Sequence, residues 1–149
     1  MKPIHSNCIP RDGYIEPGYL DAIPGLHGEF RFSFRPLTEM EQGVFVDGTK
    51  DMPTKTRSVK MYDLIASRIA SWEHRDDTGE PVAICSKSVS QLKPAIVGAL
   101  YGIVLGTRPS DIDPLWEQEV QQETADAALT ALLEGRTVGD VAAERDEKN

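Results

Sequence analysis

Cys85 and His74 are the residues best suited to covalent chemistry, because a thiol beside an imidazole can act as an activated nucleophile. Cys85 follows Ile84 in a short apolar stretch, which instead favours a buried, unreactive thiol. The three histidines, which include His5 and His27, are too scattered for a metal signature. The sequence contains no glycine-rich phosphate loop and no G-x-S-x-G, H-E-x-x-H or C-x-x-C motif. We therefore predict a protein that is not an enzyme, with no catalytic residues, metal site or cofactor.

Two groups of aspartates have the composition of a cation site, Asp76 with Asp77 and Asp111 with Asp113. Each group lies in a predicted turn, where aspartate is common because its side chain hydrogen-bonds the nearby backbone. A calcium loop needs more oxygen ligands at alternating positions than either stretch supplies. We therefore interpret both groups as structural turns.

Acidic residues are concentrated towards the C-terminal end. The 149 residues carry a net charge of −8, which argues against general binding to nucleic acid or anionic membranes. Residues 108–149 hold eleven acids and four bases, so the rest of the chain is close to neutral. Cys8 and Cys85 can form at most one bridge, which indicates reduced thiols in a cytosolic compartment. The longest apolar run, 95–105, is shorter than the roughly 20 residues that span a bilayer.

Basic residues cluster in the first half of the chain. Aromatic residues do not interleave with them at stacking spacing, so the pattern is weak for nucleic acid. The simplest interpretation is a solvated face, and the alternative is a surface for an acidic partner or for the acidic C-terminal helix. The cluster consists of Arg31, Arg35, Lys50, Lys55, Arg57 and Lys60.

Gly98 and Gly102 lie four residues apart on one face of a predicted apolar helix. An interior glycine costs about 0.5–1 kcal/mol of helix stability relative to alanine, so a close helix–helix contact is expected to compensate. That contact is either with helix 56–73 of this chain or with a partner helix received in an apolar groove. The predicted partner-binding residues are Gly98, Gly102, Tyr101, Ile96, Val97, Leu100, Ile103 and Val104.

The N-terminal part of the chain is rich in residues that form turns. Eight prolines and glycines interrupt residues 1–28, which predicts an irregular N-terminal arm, folded on its own domain or laid on a neighbouring subunit. From 29 to 35, phenylalanines alternate with polar residues, which predicts a half-buried strand. Val82–Cys85 is a short extended piece and the candidate partner of that strand.

Two helices are predicted in the middle of the chain. Thr38 and Glu41 match a capping box, which predicts a short helix at 39–47. Its side chains expected to face inward are Met40, Val44 and Phe45. Apolar residues spaced by three and four predict a long amphipathic helix from Thr56 to about His74.

Further helices are predicted towards the C-terminus. Ser86 or Ser88 begins a short helix that ends near Leu92, and Pro94 and Gly106 delimit the apolar helix. A long acidic helix is predicted from Leu115 to about Glu134, with Gly135 as its stop, and a last short helix at 137–143. The apolar stripe of the acidic helix is Trp116, Val120, Ala127 or Ala128, and Leu132.

These elements predict an α+β fold that is mostly helical. The small β element is at about 29–35, with 82–85 as its candidate partner, and four to six helices pack with it. The predicted organisation is an irregular arm at 1–28, a globular core at 29–114 and an acidic helical arm at 115–149.

The order of motifs along 29–114 resembles that of small proteins from tailed-phage and prophage morphogenesis modules, of the tail assembly chaperone kind. In that family a strand with R-P-L leads to a helix ending in Trp, then to a D-x-x-G-x-P-V turn, then to helices ending in Gly. The matching stretches here are Phe34–Thr38, Ile69–Trp72, Gly79–Val82, Leu92–Pro94, Tyr101–Val104, Gly106 and Ser110–Pro114.

This resemblance implies a non-enzymatic factor in the host cytoplasm that binds the apolar, helical tape-measure protein or the tail-tube subunit during assembly. Self-association is a further expected contact, and neither nucleic acid nor a membrane is an expected partner. The alternative is a structural virion component, such as a head–tail connector or minor capsid protein, in which residues 1–28 lie across a neighbour.

Overall fold

A computed structural model of the chain describes residues 14–134, and for Val120 its backbone only. These residues form five helices and a small antiparallel sheet, so the predicted α+β, mostly helical class is confirmed. The chain divides into two compact units between Asp113 and Pro114. The elements are β1 (Glu16–Leu20), β2 (Phe30–Phe34), α1 (Glu39–Thr49), α2 (Thr54–Arg68), β3 (Ile69–Trp72), α3 (Ser86–Ser90), α4 (Pro94–Leu105) and α5 (Pro114–Leu133).

The sheet has the strand order β1-β2-β3, with antiparallel pairing on both sides of β2. The strand predicted at 29–35 is therefore confirmed, and it is the central strand. Phe30, Phe32 and Phe34 are buried, since alternate side chains of a strand point to the same face. Their rings follow one another at centroid separations of 6.0 and 5.7 Å, which makes this face the aromatic side of the core.

The predicted pairing of this strand with 82–85 is wrong. Residues 82–85 form no strand, and β1 and β3 already occupy both edges of β2. The carbonyl of Val82 accepts a hydrogen bond from the Trp72 indole N–H at 2.7 Å, and its amide donates to the His74 carbonyl at 3.0 Å. These two bonds hold the segment beside the end of β3 instead of within the sheet.

The prediction of one helix from Thr56 to about His74 is also wrong at its end. The helix α2 stops at Arg68, and Ile69–Trp72 continue at once as β3. Ile69 and Trp72 fit helical spacing, but in the sheet they lie opposite Phe34 and Phe32. Because cross-strand packing of such large side chains stabilises a strand, tertiary contacts override the local period.

The predicted irregular N-terminal arm contains a strand, β1. Pro17 is tolerated there because β1 is an edge strand, in which alternate residues direct their backbone away from the sheet. Tyr19 shares that orientation, and its N–H donates to Ser110 Oγ at 2.7 Å. Its carbonyl accepts from the Asp111 N–H at 3.0 Å. Ser110 and Asp111, some 90 residues away along the chain, thus close the free edge of β1.

The helices α2, α3 and α4 cover the aromatic face of the sheet. Ile65 from α2, Val89 from α3, and Leu100 and Val104 from α4 have no measurable exposure. They belong to one apolar cluster with the phenylalanines of β2. Within residues 14–134, no helix has the length and apolar character that crossing a membrane would require.

Several predicted helix ends are confirmed. The Glu41 N–H donates to Thr38 Oγ1 at 3.2 Å, and the Thr38 N–H donates to Glu41 Oε1 at 3.1 Å, which completes the capping box. The bond from the Thr38 backbone lowers the pKa of the Glu41 carboxyl. Pro94 begins α4, and Gly106 ends it in the left-handed conformation at φ 84°. The short helix α3 ends at Ser90, before the predicted Leu92, and Cys85 is its N-cap.

The helix α5 matches the predicted acidic helix closely. Of the predicted apolar stripe, Trp116, Ala127 and Ala128 are half-buried, whereas Leu132 is 66% exposed. The predicted stop at Gly135 and the predicted helix at 137–143 lie outside the described residues.

Candidate interaction surface

Gly98 does not lie against another helix within residues 14–134. It is exposed, and a Cβ built on it would meet no atom within 4 Å outside its own helix. Among the helices that residues 14–134 form, none therefore supplies the compensation expected for this interior glycine.

Gly102 serves the chain reversal that follows α4. Its carbonyl accepts hydrogen bonds from the N–H groups of Gly106, Thr107 and Arg108. A Cβ on Gly102 would lie 3.2 Å from the Arg108 Cβ, so the glycine leaves room for the returning chain. The spacing of the two glycines predicted a shared contact, but they have separate surroundings.

The apolar residues of the predicted groove lie in the core. All five are buried, and they pack with the sheet and with α2. Their burial removes them from the surface that a partner could reach in this structure. Tyr101 remains half-buried, with its ring centroid 6.1 Å from that of Phe45. The five residues are Ile96, Val97, Leu100, Ile103 and Val104.

An exposed apolar surface lies on α1 instead. Met40 is 80% exposed and Val44 is 70% exposed, so the prediction that they face inward is wrong. Gly43 and Asp47 are also exposed, and spacings of three, four and seven place all four residues on one side of the helix. We call Met40, Gly43, Val44 and Asp47 the α1 outer face.

Contacts on the other side of α1 explain its orientation. Gln42 Nε2 donates to the Leu105 carbonyl at 3.1 Å, and the Phe45 ring meets Tyr101 on α4. Glu41 forms an ion pair with Arg68 at the end of α2. These contacts fix α1 by Gln42, Phe45 and Glu41, which leaves the α1 outer face towards solvent.

Two of the predicted basic residues, Arg31 and Arg57, are held by hydrogen bonds within the fold. Arg31 donates two hydrogen bonds to Asp113, from Nε at 2.7 Å and from an Nη atom at 3.1 Å, and also bonds Glu29. Arg57 donates to the carbonyls of Lys50 and Met52, so its guanidinium ties the α1–α2 linker to α2. Arg31 and Arg57 are therefore structural, whereas Lys55 and Lys60 are exposed on α2.

Arg31 belongs to a partly buried polar cluster on the second face of the sheet. Its guanidinium lies 5.1 Å from the centroid of the Tyr19 ring, a cation–π contact. The Tyr19 hydroxyl donates to Glu29 Oε1 at 2.7 Å. Asp113, only 3% exposed, accepts the bidentate bond from Arg31, so the cluster joins β1 and β2 to the residue that precedes α5.

Burial, together with the bond to Glu29, raises the pKa of Tyr19 to about 12 from 10.0. A raised folded-state pKa means that the stability contributed by Tyr19 is complete below pH 10 and is lost as the pH rises through about 12. We expect ultraviolet titration of the tyrosines to show a last ionisation step near pH 12. Tyr19→Phe should remove that step, and its persistence in this variant would contradict the assignment.

Cys85 and His74 have separate environments. Cys85 is exposed, so the prediction of a buried thiol is wrong. Its Sγ lies 3.6 Å from Ser88 Oγ, and this hydrogen bond lowers the pKa of the thiol. The His74 ring packs against Trp72 and Phe30, at centroid separations of 5.4 and 6.2 Å. The geometry thus gives the imidazole a packing role.

Asp76 and Asp77 lie in a turn, which Asp76 stabilises by hydrogen bonds. Asp76 Oδ1 accepts hydrogen bonds from Thr78 N–H and Oγ1 and from Glu80 N–H. The bond from the Thr78 hydroxyl is the main reason that the pKa of Asp76 is lowered. Across residues 14–134, no three His, Cys, Asp or Glu side chains are grouped so that they could hold a metal ion.

No protein-family model, curated protein or solved structure matches this chain.

Proposed function

We propose that this protein is a non-enzymatic tail assembly factor of a tailed phage, which binds a tail component through the α1 outer face. The observation that carries the proposal is the exposure of Met40 and Val44, two large apolar side chains on one side of a helix. Exposed apolar surface of this kind on a soluble domain is typical of binding sites for other proteins. The resemblance to tail assembly chaperones supplies the class of partner.

The motifs behind that resemblance have structural roles which are consistent with a binding function. Thr38, at the end of the R-P-L-T stretch, caps α1 and so sets the start of the α1 outer face. Trp72 bonds to Val82 of the G-E-P-V stretch and fixes the end of β3. Thr38 and Trp72 thus stabilise the fold, and in this proposal exposed residues bind the partner.

The proposed partner is a helical, apolar segment of the tape-measure protein. An amphipathic helix docks on another helix through side chains spaced by three, four and seven residues, which is the spacing of the α1 outer face. Gly43 lies between Met40 and Val44 and has no Cβ, so a partner helix can approach the α1 backbone there. Binding in the host cytoplasm would keep that segment soluble before the tail tube forms around it.

The test is co-expression with a tape-measure protein and with a tail-tube subunit from the same genome, followed by affinity purification. Met40→Glu/Val44→Glu is expected to reduce recovery of the tape-measure protein by at least about tenfold, because two charges would be buried in an apolar contact. Ile23→Glu/Leu26→Glu is the matched control, since both residues are exposed and apolar but lie before β2. Equal losses in the two variants, with unchanged melting temperatures, would refute a role for α1.

Mass spectrometry of purified phage particles separates this proposal from the structural alternative. An assembly factor is present during assembly and missing from finished particles. Stoichiometric amounts of this chain in those particles would instead support a connector or minor capsid protein.

A further inference from the structure

The N-terminal half of α2 carries a concentrated positive charge. Its first two turns contain Lys55, Arg57 and Lys60 and no acidic residue. Cations at a helix N-terminus oppose the helix dipole, and the N-cap residue Pro53 offers no side-chain hydrogen bond. None of the ion pairs formed within residues 14–134 includes Lys55 or Lys60. Within residues 14–113, Lys55 and Lys60 therefore have no ion-pair partner.

An exposed apolar side chain accompanies the two lysines. Val59 is 48% exposed, one helical turn after Lys55 and next to Lys60, and the two lysines are exposed as well. Ile65 is fully buried on the opposite side of this helix. We call Lys55, Val59 and Lys60 the basic end of α2.

The helix α5 has a surface of complementary character. Its 20 residues include four acids and neither lysine nor arginine. Glu119, Gln122, Asp126, Leu129 and Leu133 follow alternating spacings of three and four, so they form one stripe along the helix, and all five are exposed. Leu129 and Leu133 are 58% and 81% exposed. We call these five residues the acidic stripe of α5.

We propose that the protein self-associates by docking the acidic stripe of α5 from one copy on the basic end of α2 of a second copy. Opposite charges and exposed apolar side chains are then matched across the contact. Docking of one α5 on another would instead bring Glu119 and Asp126 against the same acidic stripe, which like-charge repulsion disfavours. The proposed assembly is a two-fold dimer in which this contact forms twice. This self-association involves residues other than the α1 outer face and is independent of any tail component.

The test is sedimentation velocity of the full chain over a concentration series. The wild-type protein is expected to pass from its 16.4 kDa monomer to a dimer as the concentration rises. The dissociation constant should increase between about 0.01 M and about 1 M salt, because the Debye length falls from about 30 Å to about 3 Å. A monomer at every concentration and salt would overturn the proposal.

Charge exchange identifies the surfaces. Lys55→Glu/Lys60→Glu and Glu119→Lys/Asp126→Lys are each expected to weaken self-association at least about tenfold, because like charges would then face each other. An equimolar mixture of the two variants should associate again, since the reversed, acidic α2 of one variant then meets the reversed, basic α5 of the other, and the two unreversed surfaces meet each other. Self-association of wild-type strength in either double variant alone would overturn the proposal.

Arg35→Glu/Lys87→Glu is the matched control, because it reverses two charges at other exposed positions. It should associate like the wild-type protein, and an equal loss in this control would show that net charge alone is responsible. If Lys55→Glu/Lys60→Glu lowers the melting temperature, Lys55→Gln/Lys60→Gln takes its place. This neutral variant should also weaken the dimer and reduce its salt dependence.

Discussion

Asp113→Ala is expected to lower the free energy of unfolding by about 3 kcal/mol, because it leaves the Arg31 guanidinium without its bidentate partner. Loss of one member of a buried ion pair typically costs about 3–5 kcal/mol. The lower end applies because the Arg31 side chain is 26% exposed, whereas that of Asp113 is 4% exposed. Urea unfolding followed by circular dichroism measures the change.

Asp77→Ala is the matched control for this prediction, since it removes the same charge from an exposed turn. Its effect should stay within about 0.5 kcal/mol. The double variant Arg31→Ala/Asp113→Ala should lose less than the sum of the two single variants, by about 0.5–3 kcal/mol, because the residues contact each other. Strict additivity would show that the two side chains act independently.

Gly18→Ala is expected to lower the free energy of unfolding by about 1–3 kcal/mol through overpacking of the core. A Cβ on Gly18 would lie 2.3 Å from Cε2 of Phe32, its partner across the β1–β2 pair. Phe32 is 6% exposed and packs between the rings of Phe30 and Phe34, so it cannot move without disturbing the aromatic side of the core. Urea unfolding measures the loss, and near-ultraviolet circular dichroism reports the displaced ring.

Gly28→Ala is the control for this change in β1. Its added Cβ meets no described atom within 4 Å. Alanine therefore restricts the backbone here as it does at position 18, but without a steric clash. Stability should be unchanged or raised by up to about 1 kcal/mol, because alanine restricts the unfolded chain. Equal destabilisation by both substitutions would contradict the role given to Phe32.

Local signals in the sequence predicted the structure correctly. The capping box of Thr38 and Glu41, the alternation in β2 and the stop at Gly106 each depend on residues a few positions apart. They failed for β1 and β3, because Ile69–Trp72 satisfies helical and strand spacing alike and only pairing with β2 decides between them. Such pairing joins residues that are distant in sequence, so it produces no clear pattern in the local sequence.

The same limit applies to the candidate surface. Met40 and Val44 have helical spacing whether they face the core or solvent, so periodicity alone could not show their exposure. Gly98 and Gly102 suggested a shared contact, but a glycine pair does not reveal which atoms lie opposite it. The apolar character of α4 predicted burial well, and most of its side chains lie in the core of this structure.

The closure of β1 by Ser110 and Asp111 has a consequence for the newly made polypeptide. The strand β1 leaves the ribosome before Ser110 and Asp111, which bond to the outer edge of Tyr19 and are synthesised some 90 residues later. Until then this edge is open to pairing with other nascent chains, which is a route to aggregation. Pro17 has no backbone N–H, so it reduces the number of unpaired donors along this edge during translation.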